Sequence, residues 1–210
     1  MPPTSLHPLL QERSSPRSFD ADHTLADETV VGLLEAARWA PSSMNRQPWR
    51  FVVARRGTAV HEQVMSTLAS GNRAWAGTAS ALVVAIAERS RDEQPIGTAD
   101  FDLGLSVMQL TVQAHASGLH VHQMGGFDHA NLSDVLDLQP GLAPVVVIAL
   151  GRRDEPDRLS ETLRAREVAP RRRRPLQETL LAVDDTDGSV WLGSAMPADR
   201  PSTDEAASAA

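Results

Sequence analysis

The 210-residue chain has no cysteine and no tyrosine, and all 20 of its basic residues are arginine. Without thiols there is no disulfide, no cysteine-ligated zinc or iron–sulfur centre and no thiolate nucleophile. Without lysine there is no Schiff base, and without tyrosine no phenolic acid. Redox chemistry on this chain therefore needs a bound cofactor to carry the electrons. Long apolar runs are missing too: residues 81–87 and 143–150 are the longest, far below the ~18 residues that mark a membrane span. The N-terminus shows no basic start leading into an apolar stretch, so no export signal is read and a cytoplasmic location is expected. A net charge of -7 disfavours a general nucleic-acid partner. Much of that charge is local, because from residue 183 onward six acids face only Arg200.

What is present alternates between helix and strand patterns. Thr24-Leu-Ala-Asp27 resembles a capping box opening a helix with Val30, Leu33, Leu34 and Ala37 on one face and a stop at Pro41. A strand is predicted over 49–54 and a helix over 59–69 with Val60, Val64 and Leu68 inward. Residues 81–87 read as a buried strand. The strongest helix spans 97–117, with Phe101, Leu105, Met108 and Val112 as its apolar face and Gly118 as its left-handed stop. A strand over 120–126 runs into Gly125-Gly126, then come a helix over 131–138, a central strand over 143–150 and a polar helix over 157–168. The pattern gives α/β or α+β, a two- or three-layer α/β sandwich with helices flanking one sheet. A single domain is expected over residues 1–182, followed by an acidic extension over 183–210 whose end, 198–210, is expected to be disordered.

Four segments carry donors. Arg13, Ser14, Ser15 and Arg17 surround Pro16; guanidinium forks and hydroxyls suit phosphate oxygens, though the same loop also reads as solvated arginines. Between Pro41 and Pro48, Ser42, Ser43, Met44, Asn45 and Gln47 form a short polar loop fit for a heterocycle edge, or an ordinary turn. Met124, Gly125 and Gly126 let backbone approach a ligand, or simply turn the chain. Arg171 to Arg174 read as a charge run, a nucleic-acid patch or a phosphate site.

Taken in order, these segments resemble the nitroreductase superfamily of FMN-dependent flavoenzymes. The Arg-Ser-x-x-Arg-x-Phe stretch is residues 13–19, the Ala-Pro-Ser-x-x-Asn-x-Gln-Pro-Trp loop is residues 40–49, and the long helix begins at Asp100-Phe-Asp-Leu-Gly104. The resemblance implies a nitroreductase-like fold with a central mixed sheet, and an intertwined homodimer with FMN at its interface. It implies that Arg13, Ser14, Ser15 and Arg17 hold the ribityl phosphate, with Arg171 and Arg173 closing over it. Asn72 would bond the flavin ring beside Met124 and Gly126, and Gly125 would offer its N–H to the flavin N5. Pro41, Ser42, Ser43, Met44 and Asn45 would come from the partner subunit, and Gln47 of the same loop would also contact the cofactor. NAD(P)H would donate hydride, and a nitroaromatic, quinone or similar small acceptor would take the electrons in ping-pong order. A non-catalytic flavin-storage protein of the same fold is the alternative. Val190, Trp191 and Leu192 are the apolar anchors available to the tail. The resemblance also implies one pocket shared by donor and acceptor, and consistent with this no G-x-G-x-x-G of a separate nicotinamide site follows a predicted strand. Seven histidines lack a matching carboxylate pattern, and no metal site is expected.

Overall fold

The computed structural model describes residues 6–175, 178, 179, 182–184 and 190–192. The chain divides into two compact units, residues 1–168 and 169–210. In the first, β1 (Trp49–Arg55), β2 (Ala81–Glu88), β6 (Leu142–Gly151) and β5 (His120–Met124) lie side by side in that order. Two short strands, β3 (Ser90–Arg91) and β4 (Gln94–Pro95), form a separate hairpin.

All three ladders of the main sheet are antiparallel, with Val84 opposite Val52 and Val147, and Val147 opposite Met124. This corrects the expected mixed sheet. The long helix α5 (Ala99–Ala116) does join two strands of one direction, β2 and β5. However, β6 lies between them and runs the other way, so no parallel pair forms. A register shift beside Ala85 and Ile86 leaves Val145 unpaired and brings Pro144 opposite Ile86. The bulge and the end of β5 at Met124 together accommodate a proline that cannot donate to a ladder.

Strand alternation divides the core. Ala81, Val83, Ala85, Ile148, Leu150 and Val121 face α5 and α2 (Asp27–Arg38), whereas Leu82, Val84, Ile86, Val147 and Ala149 face the other layer. That second layer comprises α3 (Ala59–Thr67), α4 (Ser70–Ala76), α6 (His129–Val135) and the side chain of Phe19. A short α1 (Pro8–Gln11) and a polar α7 (Glu161–Val168) complete the first unit. In the second, residues 171–175 are exposed, and β7 (Ala182–Asp184) pairs with β8 (Val190–Leu192) in an antiparallel hairpin. The segment expected to be disordered, 198–210, lies outside the described residues.

Three predicted details change. The Thr24 capping box does not form: α2 starts at Asp27 behind Ala26 with no side-chain cap. The Asp27 carboxylate is engaged by Arg55, which also holds the Leu25 carbonyl. The helix over 59–69 ends at Thr67 and restarts as α4, and Val60 points outward while His61, Val64 and Thr67 point in. On α5 the predicted apolar face is the outer one: Phe101 is 69% exposed and Met108 39%. The inner face is Leu103, Val107, Leu110 and Ala114, together with Asp102, Ser106 and Thr111. A helix apolar on both sides gives periodicity two answers, and the inward hydroxyls, bonded to the Ala37 and Val107 carbonyls, disguised the correct one. Its end is as predicted. Gly118 has φ +72°, and Leu119 N–H closes on the Ala114 carbonyl.

Candidate functional site

Between α1 and Phe19 the chain has little regular structure, so its shape depends on outside partners. The Ser18 hydroxyl donates to the Glu155 carbonyl at 2.6 Å, and Phe19 bridges Arg153 beyond the end of β6. Pro16 is buried, while Arg13, Ser14, Ser15 and Arg17 are half-exposed beside it. The Pro16 carbonyl accepts from His122 Nδ1 of β5 at 3.0 Å, and Arg17 N–H donates to Glu167 Oε2 of α7 at 3.0 Å. Arg13 Nη1 donates to Ser15 Oγ at 3.3 Å. Guanidinium forks and hydroxyls thus share one short loop against the β5 edge.

At the C-terminal end of that strand lies the second group. Met124 is buried, and Gly125 and Gly126 are exposed as the chain leaves β5. The Gly126 carbonyl accepts twice at 3.0 Å, from Ala69 N–H and from Asn72 Nδ2. A Cβ on Gly126 would stand 3.0 Å from Asn72 Nδ2, so a larger residue there would push the Asn72 amide by a few tenths of an ångström; beside Gly125 nothing lies within 4 Å. Helix α4 supplies both Asn72 and Trp75. The Trp75 ring packs on His122 at 4.6 Å and on Phe19 at 6.3 Å, which ties the arginine loop, α4 and β5 into one neighbourhood.

Residues 41–47 lie elsewhere. This loop follows α2 and enters β1 at the opposite edge of the sheet, three strand spacings or roughly 14 Å from β5. Met44, Asn45 and Gln47 all hold left-handed backbone (φ 52°, 54° and 48°), a conformation costly for side-chain-bearing residues. Local and distant bonds hold it there. Gln47 N–H donates to Ser42 Oγ at 3.0 Å, its side-chain amide bonds Asn45, and Arg91 donates to the Arg46 carbonyl at 3.2 Å. Ser43 N–H donates at 3.2 Å to Asp102, a carboxylate only 2% exposed that also accepts from Thr98. Met44 is 81% exposed at the tip.

Sequence reading missed Asp102, Glu167 and His122 as participants. Each acts on a residue far away in sequence, so no local spacing exposes it. The structure therefore assembles Arg13, Ser14, Ser15, Arg17, Asn72, Met124, Gly125 and Gly126 at one edge, and Pro41, Ser42, Ser43, Met44, Asn45 and Gln47 at the other. Arg171 and Arg173 belong to the second unit, where both are exposed and Arg173 donates to the Arg172 carbonyl at 2.9 Å. Beside the second loop runs an apolar surface. Leu105, Met108 and Val112 on the outer face of α5 line a groove of about 250 Å³ with Leu10 and Pro41, and Phe101 continues the stripe.

Burial, above all, holds the His122 ring below its ordinary pKa. Arg17 adds to this, against the pull of the Pro16 and Ser15 carbonyls. His115 and His120 meet edge to face at 5.4 Å, whereas His122 and His129 go to separate carbonyls. Among the described residues no three metal-ligand side chains converge, and no helix is long and apolar enough to cross a membrane.

Residues 10–152 match the profile described as the Nitroreductase family. YdgI of Bacillus subtilis, which carries the provisional name of NAD(P)H nitroreductase, is 27% identical over 182 residues, covering 69% of this chain and 86% of its own. A crystal structure described as an oxidoreductase containing FMN superposes with a TM-score of 0.80 at 34% identity, covering 86% of this chain and 92% of its own. A Desulfovibrio desulfuricans structure in complex with FMN gives 0.69 at 27% identity, over 84% of this chain and 97% of its own.

Proposed function

This chain belongs to the nitroreductase family, and from that premise we propose that it is an FMN-dependent oxidoreductase working as a homodimer, with residues 1–182 as its flavin domain. The observation that carries the reading is the division of the donor residues between two opposite sheet edges. On this reading a flavin resting against β5 meets Arg13, Ser14, Ser15, Arg17, Asn72 and Gly125 of one copy, and residues 41–47, at the opposite sheet edge, are supplied by another. The apolar stripe on α5, adjoining that loop, is the surface a second copy would cover.

The residues fit the cofactor chemically. A phosphate monoester carries about -1.5 to -2 charge, and the forked donors of Arg13 and Arg17 with the hydroxyls of Ser14 and Ser15 match its oxygens. By the family resemblance, Arg171 and Arg173 are further candidate ligands of the phosphate. The open space beside Gly125 leaves room for a planar ring, and the Gly125 N–H would be the donor to its N5. Asn72 commits its amide nitrogen to Gly126, which leaves its Oδ1 as an acceptor for a ring N–H. Ser43, Asn45 and Gln47 of the second copy offer further polar contacts to that ring. A bound FMN would supply the redox chemistry, with NAD(P)H as the hydride donor and a nitroaromatic, quinone or similar small molecule as the electron acceptor. We assign the protein binding, orientation and exclusion of water, and no side-chain acid or base.

The test is anaerobic. Purified protein is expected to be yellow, to lose its visible flavin absorbance on addition of NADH or NADPH, and to regain it with an acceptor from a nitroaromatic and quinone panel. A colourless protein that refuses added FMN overturns the proposal. Yellow protein that neither nicotinamide bleaches favours flavin storage instead.

A further inference from the structure

The arginine loop has no regular secondary structure, and its buried residue is Pro16. His122 holds the carbonyl of that residue. A carbonyl only accepts, so Nδ1 carries the proton and Nε2 is left as the acceptor of a neutral ring. Trp75, packed against the ring at 4.6 Å and layered on Phe19 at 6.3 Å, fixes its plane. On the far side of Pro16, Glu167 fixes the Arg17 N–H. The donors Arg13, Ser14, Ser15 and Arg17 flank these two pins and stay half-exposed. Because burial keeps the ring uncharged near neutrality, its contribution to an anion is geometric rather than coulombic.

We propose that His122 is a positioning residue for cofactor choice: by pinning the Pro16 carbonyl it holds the arginine loop in its phosphate-gripping shape, and so sets the preference for FMN over riboflavin. The inference rests on the reading of residues 13–17 as the phosphate grip. Riboflavin has the same ring and ribityl chain and lacks only the phosphate, so the two ligands separate loop geometry from ring binding.

The experiment titrates the full chain, freed of flavin, with FMN and with riboflavin by fluorescence quenching, for the wild type and three variants. The wild type is expected to bind FMN much more tightly. His122→Phe removes the donor and is expected to weaken FMN about tenfold, the worth of one half-buried hydrogen bond, while riboflavin changes by less than about twofold. His122→Asn, whose amide nitrogen stands near the place of Nδ1, is expected to restore most of the difference. His122→Gln, whose amide stands near Nε2, is not. Should His122→Phe fail to fold, the Asn and Gln variants decide between themselves, and equal FMN-to-riboflavin ratios in those two overturn the proposal. A His122→Phe protein with the wild-type ratio overturns it as well. A wild type that does not distinguish the two flavins overturns the phosphate-grip reading itself, and this inference with it.

Discussion

Asp102 is the residue whose surroundings most directly explain an unusual local structure. Three side-chain-bearing residues in left-handed backbone within four positions are sustained only if neighbours over-determine them. A buried carboxylate accepting the Ser43 N–H is one such constraint. Asp102→Ala is therefore expected to loosen residues 41–47 and to weaken FMN and riboflavin alike, each roughly tenfold, because this loop is assigned to the ring and not the phosphate. Asp102→Asn, which retains an acceptor, should lose much less. Parallel flavin titrations check this, and a loss confined to FMN would contradict the assignment. Gly126 makes a comparable point. An added methyl group must displace Asn72 Nδ2, 3.0 Å from the Cβ position, so Gly126→Ala is expected to weaken both flavins. Gly125→Ala, with nothing within 4 Å, should be tolerated by the apoprotein in a thermal melt.

Among the elements, α5 decides most. Its inner face is bound to the sheet and α2, with the Ser106 hydroxyl reaching the Ala37 carbonyl at 2.8 Å, and its outer face is the apolar stripe beside the 41–47 loop. Substitutions on the two faces should have different consequences. Leu110→Ala, at a residue 1% exposed, is expected to cost about 2–5 kcal/mol of unfolding free energy, read by denaturant titration. Met108→Glu, at an outer-face residue 39% exposed, is expected to leave the circular dichroism of the fold intact while converting dimer to monomer in sedimentation, with flavin lost in step. A monomeric variant that keeps its flavin would show that one copy suffices. Both faces are apolar in sequence, and the pattern at 101, 105, 108 and 112 is the more regular. That regularity marked an apolar surface correctly and assigned it to the wrong neighbour, because a stripe records what must leave water and not what covers it.

For the molecule as a whole, pH sensitivity follows from its histidines. His23, His120 and His122 all sit below the ordinary value of 6.5, chiefly because burial disfavours their charged forms. Below 6.5 the unfolded chain therefore binds protons that the folded chain does not. Stability is expected to be full above that pH and to decline as the pH falls through the window down to the depressed folded values. Glu88, which Arg91 and Arg50 hold below its ordinary 4.5, adds a second loss at lower pH. Melting temperatures at pH 7.5, 6 and 5 check the first window, and a flat profile would show that these rings are not protonated differently in the two states.

The chain determined its own chemistry and most of its elements. The absence of thiols and lysine left redox work to a cofactor, four donor segments in order carried the family resemblance, and Gly118 ended its helix in the backbone conformation that glycine favours. Those features depend on residue type and short spacing. Three others were decided by tertiary structure alone: the all-antiparallel sheet, in which β6 lies between strands that α5 joins in one direction; the face α5 buries; and the pins on the donor loops, Asp102 on Ser43, His122 on Pro16 and Glu167 on Arg17. Each of those pins joins residues at least 59 positions apart. Only a folded chain brings such groups within 3.2 Å, and nothing in a local window of sequence encodes the meeting.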